Sequence, residues 1–221
     1  MRQMEQSFIT NPHAATIVPM NADFAGDSEM ALTAVSYLPK EVSQTITTMM
    51  IEPLRSIEPS FYYYPIESMH LTVQNVRVIH DPPRFTAQDI DIARGVFRRA
   101  AMNATPFEFI LQGILMMPTS VSIIALGTPK YDMFVKRLRS DLRTAGVPDD
   151  KTYFTDERVF ANITMCRYTH APSNKFLNML HTFHDTYIGP MTVRETSLVI
   201  MNAGANRSKT TFLETYRFGQ K

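Results

Sequence analysis

Two stretches of this chain carry the same binary pattern 92 positions apart, and that duplication limits the folds open to it more than any other feature. In Met69-His70-Leu71-Thr72-Val73-Gln74-Asn75-Val76 the polar residues His70, Thr72 and Gln74 alternate with the apolar Met69, Leu71 and Val73. In Ala161-Asn162-Ile163-Thr164-Met165-Cys166-Arg167 the residues Asn162, Thr164 and Cys166 alternate with Ala161, Ile163 and Met165. A period of two is that of a β-strand, so each stretch predicts a strand with one face in a core and the other wet. A histidine and a hydroxyl two residues apart then stand side by side, as a proton carrier beside a hydrogen-bond donor for a phosphoryl oxygen would. The second copy has Asn162 where the first has His70.

The surrounding elements repeat as well. Ala31–Leu38 reads as a strand, Pro39 opens a helix that Pro53 ends, and Phe61-Tyr62-Tyr63-Tyr64-Pro65 leads into the first motif strand. Thr86 is a suitable N-cap for a helix with Ile90, Ala93, Val96 and Phe97 inward, and Phe107–Leu115 follows as a strand. The second copy starts with the apolar run Val121–Leu126. Pro129 then opens a helix with Met133, Phe134, Leu138 and Leu142 inward, closed by Gly146 at a C′ position. After the second motif strand, Ser173 caps a helix whose stripe is Phe176, Leu180, Phe183 and Tyr187, with Gly189-Pro190 as its stop; strands over 192–202 and 210–218 close the chain. The expected fold class is therefore α+β, with two pseudo-symmetric lobes from a duplicated strand-helix-strand-helix-strand unit and antiparallel sheets facing a central cleft. Residues 1–30 read as an irregular leader and 31–221 as a single bilobal domain, with lobes of roughly 31–118 and 119–221 by sequence.

Bulk properties exclude several classes. A net charge of +1 argues against a strongly electrostatic nucleic-acid binder or a polybasic membrane anchor, and no run of eighteen apolar residues exists to span a bilayer. Cys166 is the only cysteine, which rules out an intrachain disulfide and suits a reducing compartment; with no signal-peptide pattern at the start, the expected location is cytoplasmic. The basic residues Lys136, Arg137, Arg139 and Arg143 read as a solvated helix face, because Asp132 and Asp141 dilute them. His181 and His184 lack a third ligand at diagnostic spacing, so no metal site is expected, and Cys166 reads as a buried small hydrophobe rather than a nucleophile.

Taken together, His70-Leu71-Thr72, the partial copy Asn162-Ile163-Thr164-Met165-Cys166-Arg167 and the repeated element order resemble the two-histidine (2H) phosphoesterase superfamily, which includes 2′-5′ RNA ligase-like proteins and cyclic phosphodiesterases. The first motif matches fully, and the second departs at its histidine. The resemblance implies a monomeric protein that needs no metal and no cofactor, whose partner is a nucleotide or RNA end bearing a phosphodiester or a 2′,3′-cyclic phosphate. His70, Thr72, Asn162 and Thr164 would take the catalytic positions, with Arg167, Tyr64 and Gln74 binding substrate. In that chemistry one histidine takes a proton and the other gives one, and asparagine does neither near neutral pH. Three consequences stay open: a degenerate enzyme that still binds its ligand, an active phosphodiesterase whose second proton carrier lies elsewhere (His80, His170 and Tyr64 are candidates), or a structural protein with a vestigial cleft.

Overall fold

The computed structural model describes residues 15–153 and 159–219; the start of the expected leader, up to residue 14, lies outside them. Among the described residues the strands are β1 (Met30–Tyr37), β2 (Tyr62–Tyr63), β3 (His70–His80), β4 (Phe107–Met117), β5 (Ser120–Gly127), β6 (Ala161–Arg167), β7 (Tyr187–Val193), β8 (Glu195–Met201) and β9 (Thr211–Arg217). Helices α1 (Lys40–Ile46), α2 (Glu52–Ile57), α3 (Ala87–Met102), α4 (Pro129–Thr144) and α5 (Asn174–Thr182) pack against them. All pairings are antiparallel, in the order β7-β4-β5-β6-β3-β1-β8-β9, with β2 pairing β6 off this path. The α+β class and the pseudo-symmetry follow directly: about the central β6-β3 pair, β5 mirrors β1, β4 mirrors β8 and β7 mirrors β9.

The two sequence halves interleave. Pro118 and Thr119 make a tight link between β4 and β5, and consecutive strands joined that closely pair with each other. The last strand of the first half thus belongs to the half-sheet of β5 and β6, and β8 and β9 return to β1. A cut near residue 118 does not separate the half-sheets. Arg194 alone separates β7, at one edge, from β8 in the other half of the order. One residue spans only about 7 Å between its neighbours, so the sheet folds back on itself.

Three sequence expectations are corrected by packing. Pro53 does not end the first helix. A π-helical turn over Thr47–Ile51, in which the Glu52 N–H reaches back to the Thr47 carbonyl, re-phases the chain so that Pro53 falls in the first turn of α2, where no N–H is required. On α4 the buried stripe is Tyr131, Val135, Leu138 and Leu142, at i, i+4, i+7 and i+11, whereas Met133 lies off that stripe and is 64% exposed. Phe134 packs at its margin against Phe107 and Phe218. The third correction concerns Tyr187, Gly189 and Pro190, which neither continue nor stop α5. They lie in the edge strand β7, where a proline's missing donor is tolerated, and Arg194 splits the expected 192–202 strand in two. The expected caps do form: Thr86 and Asp89 make a reciprocal capping box, Ser173 accepts from the Phe176 N–H, and Gly146 takes φ +85° after α4.

Candidate active site between the motif strands

Strands β3 and β6 pair through Leu71 and Ile163, whose side chains enter the core. Antiparallel register then sets His70 across from Thr164 and Thr72 across from Asn162 on the opposite face, with Cβ separations of about 5 Å expected for such pairs. The approximate twofold axis passes between Leu71 and Ile163 and exchanges His70 with Asn162. All four residues line one cleft of about 340 Å³.

Each motif strand carries a β-bulge at the same place. Val35 pairs Thr72 and Ala34 pairs Gln74, leaving Val73 as an extra residue; Ser122 pairs Thr164 and Val121 pairs Cys166, leaving Met165 extra. Beyond the bulge the alternation reverses, so the cleft receives positions i, i+2 and i+5: His70, Thr72 and Asn75 from β3, and Asn162, Thr164 and Arg167 from β6. Gln74 and Cys166 turn inward and are fully buried. Gln74, expected to touch substrate, does not line the cleft. Its amide donates to Asp149 Oδ2 and the Tyr153 hydroxyl and accepts from Arg139 Nε, tying the loop after α4 to the sheet. Strict alternation cannot show this, because the bulge has no signature in the polar pattern. Burial pushes the Cys166 thiol up to about 12, which leaves it without a nucleophilic thiolate at neutral pH.

His70 is held as a neutral base. Nδ1 lies 2.8 Å from the Ser68 carbonyl, which can only accept, so the proton sits on Nδ1 and Nε2 keeps its lone pair. Burial, reinforced by Arg167 and Arg207 and opposed by the Ser68 bond, lowers its pKa to about 4. The rings of Tyr37 and Tyr64 meet it edge-on at centroid separations of 6.1 and 6.0 Å. Across the axis, Asn162 Nδ2 donates to Ser122 Oγ at 2.9 Å, and that hydroxyl donates to Thr164 Oγ1 at 3.3 Å. Arg167 is oriented from behind, its Nε donating to the Tyr64 hydroxyl at 2.7 Å and to the Ala203 carbonyl at 3.1 Å. Tyr64 also lines the cleft, but its own O–H is engaged with Ala203, so it positions Arg167.

Neither histidine candidate for a second proton carrier lies here. His80, at the far end of β3, contacts the Pro82 carbonyl, and His170 packs on Phe61 beside Ser60. Sequence reasoning missed Lys151, which lines the cleft from the loop after α4; as a lone lysine in a polar loop it carries no pattern. It also missed residues 16–19, which line the cleft and are tied down by paired Thr16–Thr152 bonds and by Thr119 Oγ1 donating to the Val18 carbonyl. Arg139, expected on a solvated face, instead covers the Tyr153 ring at 3.6 Å, whereas Lys136 and Arg137 pair with Asp132 and Asp141. A larger cavity of about 610 Å³ between α3 and α4 contains no motif residue. Among the described residues, no three His, Cys, Asp or Glu side chains are grouped as a metal site requires, and no helix is long and apolar enough to cross a membrane.

Neither protein-family models nor curated protein sequences show a match to this chain. Solved structures do. TT0787 of Thermus thermophilus superposes with a TM-score of 0.61 at 15% identity, covering 87% of this chain and 99% of that one. A conserved protein of unknown function from Agrobacterium tumefaciens, ATU0111, gives 0.60 at 16%, with 96% and 97% covered. Escherichia coli LigT, solved with 3′-AMP, gives 0.57 at 15%, with 87% and 100% covered. At such identities what is shared is the fold, and it extends over nearly the whole of each neighbour.

Proposed function

We propose that the chain is a 2H phosphoesterase-like protein whose cleft binds an RNA-related phosphodiester or 2′,3′-cyclic phosphate and hydrolyses it without a metal. The observation that carries this is the convergence of both duplicated motifs, His70 and Thr72 with Asn162 and Thr164, on one cleft beside Arg167. The fold likeness to LigT, which has been solved with 3′-AMP and with phosphate, supports the ligand class. In this scheme the Thr72 and Thr164 hydroxyls and the Arg167 guanidinium hold the phosphoryl oxygens, and the bare Nε2 of His70 takes the proton of the attacking water. Phosphodiester recognition by one arginine and several hydroxyls also suits a chain of near-zero net charge.

Asn162 favours a second reading, a cleft that binds the same ligands without turnover, since an amide carries no proton near neutral pH. Hydrolysis of a panel of 2′,3′-cyclic nucleotides and 2′-5′-linked oligonucleotides in metal-free buffer, with wild type and His70→Ala, separates the two. Turnover that falls by about 10² or more in the variant is expected. Saturable binding with no product would establish the second reading, and neither binding nor turnover would refute both.

A further inference from the structure

We propose that Lys151 is the second proton carrier of the cleft, the general acid that protonates the departing ribose oxygen. The inference rests on the phosphodiesterase reading above. It starts from a vacancy in the proton inventory: of the residues lining the cleft, His70 is fixed as a base, the Asn162 amide is no proton donor, the Tyr64 O–H is committed to Ala203, and the Arg167 Nε–H is committed to Tyr64 and Ala203. Among the described residues that line the cleft, Lys151 offers an amine that holds a proton and can part with it.

The loop backbone that carries this amine is fixed on both sides. Asp149 Oδ1 accepts from the Lys151 backbone N–H while its Oδ2 accepts from Gln74, and Gln74 also grips Tyr153 and Arg139. Asp150 Oδ1 accepts from the Val78 N–H of β3, and Thr152 pairs with Thr16 on the other side. The buried Gln74, turned inward by the bulge of β3, thus connects the strand that bears His70 to the loop that bears Lys151. The Tyr153 ring lies 5.5 Å from the Lys151 ammonium. The titratable and charged groups around Lys151 are Arg139 and Arg143 from α4, Asp149 and Tyr153 from its own loop, Arg167 from β6, and His70 and Glu29, which line the same cleft. Burial first, then Arg139 and Arg167 against the opposing Asp149, lowers its pKa to about 8. An amine so placed is protonated at pH 7 and releases its proton far more readily than an exposed lysine.

The step balances. Water oxygen forms a bond to phosphorus as His70 Nε2 takes its proton; the bond from phosphorus to one ribose oxygen breaks, and that oxygen leaves with the proton of Lys151 Nζ. The ring-opened monoester departs, and solvent carries the proton from imidazolium back to the amine.

The test is the pH dependence of 2′,3′-cyclic AMP hydrolysis by wild type, Lys151→Arg and Lys151→Met, with 3′-AMP binding measured alongside by calorimetry. Wild-type kcat is expected to fall on a basic limb near pH 8. Arginine keeps the charge but holds its proton, so Lys151→Arg should bind 3′-AMP within about threefold of wild type, lose about 10² to 10⁴ in kcat and lose that limb. If Lys151→Arg keeps both kcat and the limb, the amine only attracts phosphate and the proposal fails. If wild type binds 3′-AMP but produces nothing, Lys151 is not a working acid, although the cleft remains a binding site. Absence of both binding and turnover would overturn the functional reading along with it.

Discussion

Substituting His70 by asparagine isolates the energetic consequence of burying this imidazole. In the fold its pKa is about 4, against 6.5 for the unperturbed side chain. Because the folded value is depressed, the contribution is fully present above pH 6.5. It is lost as pH falls below that, where the unfolded chain takes up a proton that the folded chain refuses. The whole gap is worth about 3 kcal/mol, of which about 2 kcal/mol is already gone at pH 5. Asparagine is the informative replacement. Its amide can mimic Nδ1–H toward the Ser68 carbonyl, and the pseudo-symmetric position already accommodates Asn162. Urea unfolding of wild type and His70→Asn at pH 7 and pH 5 gives a double difference in which the titration of Asp149 and of every other common group cancels. The variant should lose about 2 kcal/mol less than wild type between the two pH values. A double difference below about 0.5 kcal/mol would mean that the imidazole is solvated, and the assignment of His70 as a neutral base would fall with it.

Two further substitutions probe the scaffold away from the cleft. Thr86→Ala removes the side chain that accepts from the Asp89 N–H and opens the capping box of α3, so chemical denaturation should show a loss of about 1 kcal/mol with 3′-AMP affinity unchanged. Gly113 has φ +73° and an added Cβ would come within 2.5 Å of the His184 carbonyl oxygen, so Gly113→Ala should cost about 2 kcal/mol or more and lower the melting temperature by several degrees.

What the amino-acid order made legible was whatever repeats with a short period. The motif strands, the Thr86 and Ser173 caps, Gly146 and the α+β class all follow from local patterns, and the pattern alone singles out the four motif residues. The features that escaped it are those decided by distant partners. The bulges at Val73 and Met165 arise from register against β1 and β5, and they exchange Gln74 for Asn75 and bring Arg167, nominally on the apolar parity, into the cleft. The interleaving of the sequence halves depends on which strand completes which half-sheet. Lys151 reaches the cleft only because Gln74, Asp149 and Tyr153 anchor its loop. The N-terminal residues 16–19 join the site through bonds to partners far along the chain, the Thr152 backbone and the Thr119 hydroxyl.

The near-symmetry of the backbone sharpens the question of why the chemistry is asymmetric, and the electrostatics of the cleft supply an answer. Strand β3 contributes His70, Thr72 and Asn75 to the cleft, β6 contributes the cationic Arg167, and the loop after α4, bonded to β3 through Gln74 and Val78, contributes Lys151. A histidine at position 162 would share the cleft with those two cations. An imidazole starts from about 6.5, so any depression by burial or by neighbouring cations would leave it without a proton to donate at pH 7. An amine starts from 10.5, and in this cleft a comparable depression brings Lys151 to about 8. The environment that would disable a second imidazole as an acid therefore tunes a lysine to be one. On this account Asn162 is compatible with turnover: it leaves the acid's role to a group whose intrinsic basicity survives the desolvation, and its amide, bonded through Ser122 to Thr164, fixes the hydroxyl that would hold the phosphoryl oxygen.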